Sequence, residues 1–462
     1  MRKTPTAATA TFASEVFSSN AQTESTAEPQ ELKRTLGPVM VWGLGVAYVI
    51  SGMYFGWNLG LPAGGPYGLL AATILVTIMY MTFVMGYSEL SCAMPKAGGA
   101  FVYANRAFGS KIGFIAGAAQ ILEFLFAPPA IAYAIGAYVN LFFPSLSPLA
   151  IAMVSYLAFT GLNIYGVQQS ATFALIVTVL AVLELLIFSA VTIPSFSWAA
   201  FSLDPLPNGW TGIFPAIPYA IWFYLAIEGV ANTAEEVKNP QRDLSIGFIT
   251  SMITLVILAL LVFFSSIGVG GWKQIVYLPG TTTPSDSPLP LAMGAVVGSG
   301  HFFYHLLVSI GLFGLVASFH GIILVAGRAT FEFGRMGYAP KFLGKIHNTR
   351  LTPANALLIN MLIGFLALLT GRTGEIITLS VFGALTLYVL SMMSLFRLRK
   401  TEPTLERPFR TPGYPVVPAI ALVLAALALI TMTYYNFKLA VIYTAIMTAG
   451  YLWFLFVTRG KK

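Results

Sequence analysis

Three carboxylates fall inside long apolar runs of this 462-residue chain: Glu123 in ILEFLFAPPA, Glu184 in the run near 170–194, and Glu228 in IPYAIWFYLAIEGV. An ionisable side chain in hydrocarbon costs about 2.5 to 3.5 kcal/mol on insertion scales, so each is read first as a group that meets a charge, carries a proton or works a gate. Glu228 stands one turn beyond a cluster of Trp222, Phe223 and Tyr224. Aromatic faces attract ammonium ions, each by roughly 0.5 to 2 kcal/mol when desolvated. A second aromatic group, Tyr54, Phe55 and Trp57, follows Ser51-Gly52 in the run VISGMYFGWNLGLP. Small residues at mid-span mark either a helix break beside a cavity or a close helix contact, since Gly52 and Gly56 also form a G-x-x-x-G pair. Glu89, Glu235 and Glu236 lie at the ends of runs and read as ion-pair anchors or caps. His320 reads as a packing histidine.

These groups must be held by a membrane-embedded scaffold. The composition is 57% hydrophobic and 9% charged, far from the roughly 25% charged of ordinary soluble domains. With about 20 residues per crossing, twelve spans are predicted near 37–60, 66–92, 112–142, 147–166, 170–194, 211–233, 244–270, 300–328, 352–371, 374–396, 415–434 and 437–458. With the N-terminus inside, all lysines and arginines but Lys273, Arg372 and Lys438 fall on the inner side. That bias follows the positive-inside rule and places both termini in the cytoplasm. The net charge of +8 is thereby a topology signal, and no nucleic-acid partner is expected. A single cysteine, Cys92, excludes an intramolecular disulfide, and no metal-ligand spacing occurs.

Residues 1–36, rich in Thr, Ala and Ser, lack the apolar core of a signal peptide, and their glutamates argue against a transit peptide. They read as a disordered cytoplasmic tail, residues 37–458 as one domain, and 459–462 as a cytoplasmic end. The first and sixth spans are both interrupted, by Ser51-Gly52 and by Pro215, Pro218 and Glu228-Gly229. Such a pair at matching positions points to inverted repeats with a binding site at the midplane, here about 37–194 and 211–396.

Four segments resemble the amino acid-polyamine-organocation transporters: GYSELSCAMPKAGGAFVYANRAFG (86–109), AEEVKNPQRDL (234–244), GRATFEFGRMGYAPKFLGKIH (327–347) and RPFRTPGYP (407–415). Within that superfamily, LGVAYVISGMYFGWNLGL and IPYAIWFYLAIEGV are similar to bacterial ethanolamine permeases. The resemblance implies an all-α membrane protein with a five-plus-five inverted repeat, helices one and six unwound, and two peripheral helices at 415–458. Ser51-Gly52 would be the unwound turn, and Tyr224 to Ile227 its counterpart. Substrate would contact Ser51, Gly52, Tyr54, Phe55, Glu123, Trp222, Phe223, Tyr224 and Glu228. Coupling or gating would fall to Glu228, Glu123, Glu184 and Trp222.

The implied activity is not enzymatic. It is secondary import of ethanolamine or a similar amine across a bacterial inner membrane, proton-coupled and without a cofactor. One departure supports the amine: carriers of amino acids often show Gly-x-Gly in helix one, whereas Ile50 occupies the first position here. An amino acid or polyamine carrier of the same superfamily is the alternative, and a transporter-like sensor is the alternative of another class.

Overall fold

The computed structural model describes residues 34–96, 98–166, 171–347 and 349–459. Most of the predicted tail and the last three residues lie outside them. The chain order is α1 (Pro38–Val49), α2 (Ser51–Tyr54), α3 (Leu61–Ala93), α4 (Ala100–Phe108), α5 (Ser110–Phe142), α6 (Pro148–Tyr165), α7 (Ala171–Thr192) and α8 (Trp198–Phe201). It continues with α9 (Ile213–Trp222), α10 (Pro240–Gly270), α11 (Trp272–Val276), α12 (Pro288–Val297) and α13 (Phe302–Arg335). The last four are α14 (Ala354–Leu368), α15 (Thr373–Thr401), α16 (Val416–Tyr435) and α17 (Phe437–Arg459). Among the described residues there is no β-sheet, only two isolated bridges. Helices suit the apolar sequence because each satisfies its own backbone, which a bilayer cannot do for it.

Ten helices among the described residues are long and apolar enough to cross a membrane, so the protein is an integral membrane protein. Two predicted spans are shorter than expected. The ninth is α14, of 15 residues. The first is divided into α1, α2 and a 3-10 turn at Trp57–Gly60. No separate loop follows it: Leu61 begins α3 at once, and the chain turns inside that helix at Gly65 (φ 62°, ψ −177°), ahead of Pro66. The end of the predicted tail is also corrected. Leu36 bridges Val237, with Thr35 and Leu36 donating to the Glu236 carbonyl and Lys238 to that of Leu36, so these two residues belong to the fold.

Burial separates centre from rim. The apolar window of α5 is 83% buried, against 28% for α16, 22% for α6 and 17% for α17, which puts these three helices at the rim. Helix α5 packs against α13 and α15, while α10 packs against α1 and α3. At the end where α1 begins, Glu89 is 1% exposed and gathers Arg399 at 2.7 Å, Arg407 at 3.2 Å, and the Thr411 N–H and hydroxyl at 2.8 Å each. The predicted anchoring role of Glu89 is thereby met, and two of the four family-like segments meet at this carboxylate.

The first break falls four residues beyond the expected turn. Ser51 and Gly52 remain helical, tightened by a Met53 N–H to Ile50 carbonyl bond of 3.0 Å. The helix ends instead at Phe55 (φ −161°, ψ 174°) and Gly56 (φ 88°, ψ −41°). The second break lies where expected, with Ala226 left-handed at φ 77° between α9 and a 3-10 segment at Ile227–Glu236. Gly52 makes room rather than a turn, because a Cβ there would collide with the Trp222 carbonyl oxygen and lie 3.2 Å from Phe223 Cα. Glycine lets the two broken helices touch backbone to backbone.

Gly52→Val should therefore lower the melting temperature of the solubilised protein, since overpacking costs about 1 to 3 kcal/mol. Gly161→Ala, which adds a methyl into open space on α6, should leave it unchanged or raise it. Glu89→Ala strands Arg407, only 6% exposed along its side chain, and should cost about 3 to 5 kcal/mol in the same measurement.

Candidate functional site

Between the breaks is a small cavity lined by Tyr48, Val49 and Ser51 from the α1–α2 region, Ala127 and Ile131 from α5, Trp222, Leu225 and Ala226 at the second break, and Ile322 from α13. It has room for about one water molecule, so the protein is closed around it. The lining is chiefly aliphatic, with a serine hydroxyl, a phenol and an indole as its polar groups. Pro128 and Pro129 lie inside α5 beside Ala127. Lacking N–H groups, they leave the carbonyls of Phe124 and Leu125 without helical donors.

Of the predicted contact residues, Ser51 and Trp222 line this cavity. Ser51 Oγ stands 3.0 Å from Ser318 Oγ, which donates to the Tyr48 carbonyl at 2.9 Å, so the hydroxyl ties α2 to α13. The Trp222 indole meets Phe55 edge-on at 5.4 Å and lies against Gly56. The other predicted residues turn elsewhere. Phe223 stacks on Trp57 at 5.4 Å, and Tyr224 shares a 2.8 Å hydrogen bond with Thr77 of α3.

The carboxylates form two buried groups outside the lining. Tyr54 donates to Glu184 Oε2 at 2.8 Å, and Tyr138 of α5 donates to the Tyr54 carbonyl at 3.2 Å. On the other side, Tyr388 of α15 donates to Glu228 Oε2 at 2.8 Å, with Tyr80 of α3 at 3.0 Å from the Tyr388 hydroxyl. The carboxyl groups of Glu123 and Glu228 lie within hydrogen-bonding reach of one another. Neither can donate when ionised, so that contact becomes a hydrogen bond only when the pair holds a proton. Ser380 of α15 donates to the Glu123 carbonyl at 2.7 Å and fixes its place in α5. Glu123 is one turn from Ala127 and Glu228 two residues from Ala226, so both sit directly behind the cavity wall.

The remaining acids and the histidine serve the frame. Glu236 pairs with Arg328 at 3.4 Å, and His320 Nδ1 faces the Asn163 amide at 3.2 Å. Among the described residues no three His, Cys, Asp or Glu side chains gather as a metal site.

Sequence reasoning missed Tyr48, Val49, Ala127, Ile131, Leu225, Ala226 and Ile322 as lining, Tyr388 as the partner of Glu228, and Tyr80 as the partner of Tyr388. For α5 a signal existed, since Pro128-Pro129 interrupts the ladder one turn after Glu123. For the tyrosines none did, because they are brought in by distant helices.

The same scaffold occurs in known proteins. An uncharacterized transporter of Rhizobium meliloti is 28% identical, over 95% of this chain and 97% of its own length. A branched-chain amino acid permease of Bacillus subtilis is 26% identical, over 86% of this chain and 88% of its own. A low-affinity putrescine importer of Escherichia coli is 26% identical, over 84% and 87%. Residues 32–457 match the family model described as amino acid permease. With its interrupted apolar helices facing one closed cavity, the chain belongs to the amino acid permeases of the amino acid-polyamine-organocation superfamily.

Proposed function

We propose that the protein is a proton-coupled secondary transporter of small neutral amino acids with aliphatic side chains, working by alternating access. The observation that carries this reading is the cavity lining: six aliphatic side chains and no carboxylate. A second cationic group, as in arginine or putrescine, would find no counter-ion there, and burying an unpaired charge is costly. An aliphatic side chain, by contrast, gains about 0.8 kcal/mol for each CH₂ it buries. The ammonium and carboxylate of an amino acid suit the ends of the broken helix, because the C-terminal end of α9 favours a cation and the start of the segment from Ile227 favours an anion. The branched-chain permease among the relatives is in keeping with this choice.

Ethanolamine is the second reading, favoured by one observation. Ser51 and Gly52 stay helical and Gly52 is pressed against the Trp222 carbonyl, so that turn offers no amide pair to a carboxylate. An amine carrying only a hydroxyl would use Ser51 and the Trp222 face instead. In both cases the Glu123–Glu228 pair is the proton site, linked to the cavity wall by one turn of α5.

The deciding experiment is uptake of radiolabelled leucine, valine, alanine and ethanolamine into proteoliposomes, under separate proton and sodium gradients. Leucine or valine should accumulate with a proton gradient and be displaced by one another, while arginine and putrescine compete poorly. Accumulation of ethanolamine alone would transfer the assignment to the second reading, and accumulation driven only by sodium would remove the proton role. Glu228→Gln should retain substrate binding but lose the pH dependence of accumulation, and Tyr388→Phe should shift the pH profile without abolishing uptake. Trp222→Leu should weaken binding by about three- to thirtyfold, the range of an aromatic contact, with the pH profile unchanged. Wild-type uptake by Glu228→Gln at every pH would make that acid structural.

A further inference from the structure

Asn58 is 0% exposed, and its side chain joins three backbone groups. Its Oδ1 accepts the N–H of Gly56, the positive-φ residue of the first break, at 3.0 Å. Its Nδ2 donates to the Ser285 carbonyl at 2.8 Å and to that of Ile275 at 3.4 Å. Those two carbonyls are the base of a segment at the end of the molecule opposite the start of α1. There α11 leads into a tight excursion closed by the Tyr277–Pro284 bridge, by Ser285 N–H to Val276 at 2.7 Å and by Leu278 N–H to Thr283 at 3.0 Å. The next residue, Asp286, accepts from Thr373 Oγ at 3.1 Å, at the head of the helix that carries Tyr388 and so meets Glu228. Polar contacts thus join the first break to this segment and the segment to α15, the helix whose Tyr388 meets Glu228 at the second break.

We propose that Asn58 is a positioning residue for transport: its amide couples the conformation at Gly56 to the 272–287 segment, which acts as a lid tied beside its base to the head of α15 by Asp286 and Thr373. The proposal rests on the alternating-access reading. An amide is planar, so its acceptor and its two donors move as one body. A change of torsion at Gly56 that withdraws the N–H must turn the plane, and that pulls the donors away from Ser285 and Ile275. Buried carbonyls left unpaired are unfavourable, so the lid follows the break.

A single-cysteine reporter tests this. Ser287, 2% exposed at the end of the lid segment, is replaced in a Cys92→Ser background by Ser287→Cys and labelled from outside with a membrane-impermeant maleimide. With Asn58 intact, labelling should slow severalfold when transported leucine is added. With Asn58→Ala or Asn58→Asp it should be fast whether or not leucine is present, and uptake should fall about tenfold, the scale of a lost buried hydrogen bond. Asn58→Asp keeps the acceptor for Gly56 and lacks both donors. If it protects and transports like the unmodified protein, Asn58 only supports the break and the coupling is overturned.

Should neither variant reach the membrane, Asp286→Cys with Thr373→Cys supplies the second arm. Oxidative cross-linking should stop uptake and reduction restore it, and undiminished uptake by the cross-linked protein would overturn the lid. Absence of uptake of any amino compound by the unmodified protein would instead refute the transport reading.

Discussion

A backbone that leaves its helix inside an apolar slab has nowhere to take its hydrogen bonds except other parts of the protein, and this fold is arranged around that constraint. The chain breaks at Phe55-Gly56 and again at 223–226, and each break is placed against the other. The contact is possible because Gly52 has no side chain at the point where the Trp222 carbonyl arrives. Side chains then complete what the ladder drops: Trp57 donates to the Met53 carbonyl at 3.2 Å, Tyr138 to that of Tyr54, and Asn58 accepts from Gly56. The cavity is what remains between two breaks that cannot close completely.

The buried acids follow from the same arrangement. A tyrosine on the first broken segment meets a glutamate on α7, and a glutamate on the second broken segment meets a tyrosine on α15, both at 2.8 Å. The roles are exchanged while the contact is kept, the pattern that the proposed five-plus-five repeat would produce. Only the second pair has another carboxylate beside it, Glu123. Two carboxyls in one dry site resist being charged together, a constraint that the Tyr54–Glu184 pair does not carry. On the proposed reading the proton-handling role falls to Glu123 and Glu228, while Glu184 ties α2 to α7.

Much of this is legible in the sequence where the signal is local. Apolar runs and the lysine and arginine bias mark the helices, and Glu228 next to an aromatic cluster marks the second break. The first break lies four residues from the expected turn because glycine has two uses: at Gly52 it admits a neighbouring backbone, and at Gly56 it adopts φ 88°. Both residues have the same letter, and only the partner's position separates them. The aromatic cluster divides for a similar reason. Trp222 reaches the cavity while Phe223 and Tyr224 are turned toward Trp57 and Thr77, and no spacing rule applies where the helix has stopped. Tyr388 lies 160 residues from Glu228 along the chain, beyond any local pattern.

The size of the cavity decides which of these contacts must give way in transport. Space for about one water cannot hold an amino acid, so the lining has to part by several ångströms on one side. The backbone contact at Gly52 is a poor place to open, because two backbones meet there with no side chain between them. The ties that can open are single polar contacts between elements: Ser51 with Ser318, Tyr54 with Glu184, and Asn58 with Ser285. Each leaves α2 or the turn beyond it and each is buried, so each must exchange its partner when its side opens. On the alternating-access reading, α1 and α2 would swing on the Gly52–Trp222 contact while α5, bonded to α15 through Ser380, would hold its place. Such a division would give one moving wall bearing Ser51 and one static wall bearing Ala127, with Glu123 one turn away on the same helix.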